Sequence, residues 1–172
     1  MSEPMRSAGA MPSPAPQAAG TIRQVSTWML TACGVWLVGL GLYFIFLRPP
    51  LLPEDPRFMG TTLEQLRMAV PGLEAWLNKV FTVMGGFMAG AGVLTVVVAI
   101  VAMPVRSKGT SWALAISGAL TVVLMSATNF ALQSDFRWLL LLPALLWFAG
   151  LAIHVASGAS PAPLRGGGGG VN

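Results

Sequence analysis

Residues 25–47 read VSTWMLTACGVWLVGLGLYFIFL, and no charged side chain interrupts them. A helix of roughly 23 residues, rising about 1.5 Å at each, crosses the ~30 Å hydrocarbon core of a bilayer. Arg48-Pro49-Pro50 follows directly. A guanidinium resists transfer into lipid and neither proline can extend a helix, so the span stops there. Trp28 near one end, and Tyr43, Phe44 and Phe46 near the other, suit the headgroup level. The whole chain shares this character: 55% of its 172 residues are hydrophobic, only 9% are charged, and the mean hydropathy is +0.71. A soluble domain wets its surface with about 25% charged residues. This chain has too few to do so, and its outer surface must meet lipid.

Three further apolar runs follow, over residues 80–103, 110–132 and 136–155. Pro104 ends the second, and a short linker with Arg106 and Lys108 leads to the third. Gln133-Ser134-Asp135 then makes a tight turn, with Ser134 or Asp135 as N-cap of the fourth span. Pro143 lies inside that span, where its missing N–H is expected to bend it. The long polar connection is residues 48–79. Prolines 49, 50, 53 and 56 shape its first half around Glu54-Asp55. Beyond Gly60, Thr61 and Glu64 match a capping box, and Leu63, Leu66 and Val70 recur at helical spacing. The expected fold is therefore all-α: a four-helix transmembrane bundle over 25–156 with a short amphipathic helix in its first loop. Residues 1–24, rich in Pro, Ala, Ser and Gly, and 157–172, with five consecutive glycines, are expected to be flexible tails.

An even number of spans puts both tails on one face. Cations number five on each side, so placement decides. Arg106 and Lys108 crowd a short linker and Arg23 abuts the first span, whereas the longer, charge-balanced 48–79 loop is easier to translocate. Both tails are expected in the cytoplasm. The formal charge of +4 comes from cations scattered singly at span ends, without the basic stripe that nucleic acid requires, so no nucleic-acid partner is expected. Membrane lipid is the one partner that composition implies; a membrane protein partner or a homo-oligomer is compatible with it. Cys33 is the sole cysteine, so no internal disulfide forms. Leu30-Thr31-Ala32-Cys33 resembles a lipoprotein cleavage box, but the apolar run continues after the cysteine instead of preceding it.

Glycines 85, 86, 90 and 92, with Ala89, form the densest small-residue patch in any span and are expected to let another helix approach closely. Met84 and Met88 overlap that patch at a spacing soft Cu(I) would accept, but ordinary packing explains them better. Asn129 and Gln133 lie one turn apart near the end of the third span; with His154, near the end of the fourth, they are the candidate polar site. Glu54, Asp55 and Arg57 are the candidate recognition residues of the loop. No nucleophile motif, zinc spacing, phosphate loop or dinucleotide fingerprint occurs, so the chain is read as a non-enzyme with no metal or cofactor.

The segment LRPPLLPEDPRFMG after a first span, with three closely spaced spans behind it, resembles small four-span bacterial membrane proteins of unassigned activity. The broad layout is also similar to the DoxX-like group, without a diagnostic motif of that group. The resemblance implies a bacterial inner-membrane location and carries over no functional residue. The expected function is that of an accessory or interaction protein using the 48–79 loop. The alternative is a small-molecule, lipid or quinone-binding or transport protein with a site between the helices.

Overall fold

The computed structural model describes residues 15–103 and 107–158, with side chains over 20–103 and 107–157. The tail segments 1–14 and 159–172 and the linker residues 104–106 lie outside the described residues. Among those described there is no strand. The helices are α1 (Ala15–Phe46), α2 (Glu54–Phe58), α3 (Leu63–Ala69), α4 (Leu73–Ala102), α5 (Lys108–Ala131) and α6 (Arg137–Gly158). Four of them, α1, α4, α5 and α6, are long and apolar enough to cross a membrane. The molecule is thus an all-α four-helix bundle.

Two boundaries differ from the sequence reading. The first helix begins at Ala15, inside the segment expected to be a flexible tail. Ala15, Ala18 and Ala19 are the best helix formers, and Pro16 is tolerated in a first turn that needs no N–H. The second span begins at Leu73, because the apolar stripe Leu73, Leu77, Val80 continues into it without a break.

α1 packs along α4 on one side and along α6 on the other, while α5 packs on α6. The α1–α4 seam is built on glycine. A Cβ at Gly41 would stand 2.5 Å from the Ala89 nitrogen and 2.6 Å from the Gly85 oxygen; one at Gly92 would stand 2.6 Å from the Gly34 oxygen. Only bare backbones come this close, and lipid-embedded helices depend on such packing because tails as apolar as leucine supply no hydrophobic drive. Gly86 and Gly90 point elsewhere: nothing lies within 4 Å of a Cβ at either. Of the patch expected from sequence, Gly85, Ala89 and Gly92 meet α1, and Gly86 and Gly90 do not.

The other seams carry hydrogen bonds. Ser26 Oγ donates to the Gly150 carbonyl at 2.7 Å, and Cys33 Sγ donates to the Pro143 carbonyl at 3.3 Å, both joining α1 to α6. Ser126 Oγ donates to the Leu140 carbonyl at 2.7 Å, joining α5 to α6. The indole of Trp147 occupies the space that a side chain at Gly118 would fill. Leu30, Cys33 and Leu37, with Ala99, Met103, Leu114, Val122, Ala144 and Trp147, complete the shared core.

α4 and α5 each contain a π-helical turn, Val98–Ala102 and Ala119–Val123. In α5 the buried positions Leu114, Gly118, Val122 and Ser126 fall at every fourth residue. In a regular α-helix each such step advances the stripe by about 40°, so it would wind away from α6. The wider turn, with its i→i+5 bonds, absorbs the surplus and keeps the stripe on its partner.

Candidate functional site at the loop end

The loop 48–72 and the turn between α5 and α6 meet at one end of the bundle, where side-chain links brace them into a cap. The first link is Arg48. Its guanidinium lies 3.6 Å from the Phe81 ring centroid and 5.1 Å from that of Phe44, joining α1 to α4 through cation–π contacts. Nη1 donates to the carbonyls of Pro49 at 3.0 Å and Pro50 at 3.5 Å, and Nη2 is 3.8 Å from Asp55 Oδ2. The side chain is only 10% exposed. Burial lowers its pKa from the ordinary arginine value and the Asp55 carboxylate opposes that shift; a guanidinium has enough margin to stay charged.

Glu54 is the second link. It is 4% exposed and accepts from Ser134 Oγ at 3.0 Å. Ser134 Oγ in turn accepts from the Phe136 N–H at 3.2 Å, so the first turn of α6 is capped by a serine that a carboxylate orients. Ahead of it, α5 ends in a Schellman arrangement: Ser134 N donates to the Asn129 carbonyl and Gln133 N to the Phe130 carbonyl. Gln133 takes the left-handed conformation (φ 51°) that a glycine would adopt more easily. The third link, Arg57 to Asp135 at 3.6 Å, is exposed and contributes little. The fourth, Arg67 to Glu74 at 2.9 Å, ties α3 to the start of α4.

The capping box of α3 is displaced by one residue from the expected Thr61 and Glu64. Thr62 is the N-cap and its side chain accepts from Gln65 N, while Gln65 Oε1 accepts from Thr62 N. TTLEQ offers both registers. The later one is favoured because Thr61 Oγ1 can also donate to Gln65 Oε1, at 2.8 Å. α3 has no buried residue.

The three candidate loop residues therefore differ in role. Glu54 faces inward, and Asp55 turns back to Arg48 and accepts from Leu52 N at 2.8 Å. Arg57 alone is exposed. The outer surface of this region is apolar instead: Phe58 is 64% exposed, Met68 69% and Trp76 63%, with Met59 and Val70 also exposed. A shallow crevice of about 400 Å³ lies in the same loop, with Leu51, Leu52, Pro53 and Pro56 on one side and Thr61, Thr62 and Leu63 on the other.

The candidate polar site does not assemble. Asn129 Nδ2 donates to the Met125 carbonyl of its own helix at 2.9 Å, Gln133 is exposed in the turn, and His154 is buried near the opposite end of α6. Seventeen residues of helix separate His154 from Arg137, about 25 Å. The larger concavity lies elsewhere, on the outer face between α1 and the start of α6. It has a volume of about 650 Å³, and its walls include Trp28, Val35, Trp36, Gly39 and Tyr43 from α1 and Leu140 from α6. Its sequence trace is a stripe at i, i+3, i+4, i+7, i+8, i+11, i+12 and i+15, which alone looks the same as a lipid-facing or a packed face. No family model, curated protein or solved structure matches the chain.

Proposed function

We propose that this protein is a non-enzymatic accessory or interaction protein of the bacterial inner membrane, with both tails cytoplasmic and the 48–79 cap docking a protein partner at the outer surface. The observation that carries this reading is a contrast within the cap. Arg48, Glu54 and Asp55 invest buried polar contacts in holding it rigid, yet Phe58, Met59, Met68, Val70 and Trp76 remain exposed outside the core. Apolar side chains presented on a braced polar segment are the usual mark of an interaction surface, and methionines adapt readily to a partner's shape. Arg57, at the rim of that surface, supplies orientation more than affinity.

The test is photocrosslinking in native membranes from position 68, with position 120 on the exposed face of α5 as control. A stoichiometric adduct from position 68 and not from position 120, abolished by Trp76→Glu on the same exposed surface without loss of folded protein, is the expected result. Adducts to lipid only, with partnerless protein recovered in several mild detergents, would discard this reading.

A further inference from the structure

We propose that the groove between α1 and α6 holds one acyl chain of an anionic glycerophospholipid, whose phosphate is received at the loop end by Arg137 and the Tyr43 hydroxyl. The groove follows α1 from Trp28 to Tyr43, fifteen residues or about 22 Å, which exceeds the ~15 Å of one leaflet's hydrocarbon. Its 650 Å³ spread over that length gives a cross-section of about 30 Å², against about 80 Å² for a helix 10 Å across. A hydrocarbon chain fits inside it along its length, whereas a helix from a second copy would seat only a ridge of side chains there.

The polar groups at the loop end select the headgroup. Arg137 is half-buried, and its guanidinium makes no ion pair or hydrogen bond among the described residues; the nearby Asp135 is paired with Arg57. Arg137 precedes the groove residue Leu140 by three positions, so both lie on one face of α6 with the cation one turn nearer the headgroups. Tyr43 lines the groove at the same end, and its hydroxyl donates no hydrogen bond within the described residues. An unpaired cation and a free donor above a chain-sized apolar slot complement a phosphodiester with a net negative charge. An isoprenoid quinone would fill the slot but leave the cation without a partner.

The test uses the full chain, delipidated in mild detergent and titrated with phosphatidylglycerol or phosphatidylcholine of identical acyl chains, bound lipid being counted by native mass spectrometry. One phosphatidylglycerol is expected to bind about fivefold more tightly than phosphatidylcholine, the effect of one basic residue on one extra negative charge. Arg137→Gln should erase that preference and Arg137→Lys should keep it. Gly39→Leu should abolish binding of both lipids with an unchanged unfolding midpoint, because nothing lies within 4 Å of a Cβ there; Val35→Trp, from an exposed position, fills the same slot and is read in the same way. Equal binding of the two phospholipids by the unaltered protein, tighter retention of a quinone, lipid binding that survives both Gly39→Leu and Val35→Trp, or a dimer lost with Gly39→Leu would each overturn the proposal.

Discussion

Gly41→Ala and Gly86→Ala add the same methyl group to neighbouring glycine-rich helices, and the structure gives them opposite outcomes. At Gly41 the new carbon would stand 2.5 Å from one backbone atom of α4 and 2.6 Å from another, where ordinary contact starts at 3.4 Å. Neither atom can rotate away, so α1 and α4 must part by roughly 0.8–0.9 Å, a gap that forfeits a quarter to a half of each nearby dispersion contact. Overpacking of this kind costs about 1–3 kcal/mol, and the better helix propensity of alanine returns up to about 1 kcal/mol. A net loss of about 1–2 kcal/mol is expected for Gly41→Ala. Gly86→Ala meets nothing within 4 Å, so it should be neutral or stabilising by up to about 1 kcal/mol. Unfolding of each variant by SDS in mixed micelles, followed by circular dichroism, measures the difference. If Gly41→Ala matches the unaltered protein, or Gly86→Ala is destabilised as much as Gly41→Ala, then the seam does not run through Gly34, Gly41, Gly85 and Gly92.

Further outcomes can be read in the same assay. Ser126→Ala removes the α5–α6 hydrogen bond and should cost about 0.6–1.7 kcal/mol, while Thr128→Ala, whose hydroxyl bonds within its own exposed turn, should cost less. Glu54→Ala leaves the buried Ser134 hydroxyl without its acceptor and should cost about 1–3 kcal/mol, whereas Arg57→Ala, at an exposed pair, should cost under about 1 kcal/mol. Gln133→Gly relieves the left-handed backbone and should raise stability by about 1 kcal/mol. Cys33 is fully buried, so maleimide should label it only after unfolding; rapid labelling of the folded protein would contradict the α1–α6 packing.

The spans were legible because their evidence is local: uncharged runs of bilayer length, closed by Arg48-Pro49-Pro50 or Pro104, need no knowledge of neighbours. Partner faces were not legible. Gly86 and Gly90 have the same composition as Gly85 and Gly92, and only the position of α1 separates them. Arg48 reads from sequence as a stop signal; its stacking on Phe81, thirty-three residues away, depends on how α1 and α4 cross. Glu54 and Asp55 read from sequence as recognition residues of the loop because nothing nearby reveals that Ser134 returns to meet one of them. Polarity likewise places Asn129 in a candidate polar site, although its amide reaches the carbonyl one turn back at lower entropic cost.

The arrangement of neighbours also sets an order of assembly during synthesis. The helix bearing Gly34 and Gly41 finds its first mate in the next span to emerge, so an early hairpin can lock before the remainder is made. The third span has no such opportunity: its chief neighbour is the helix that follows it, and it must wait alone in lipid until that helix is inserted. A chain truncated after Ala131 and released would therefore leave a docked pair beside one orphan, exposed to the quality-control proteases of the membrane.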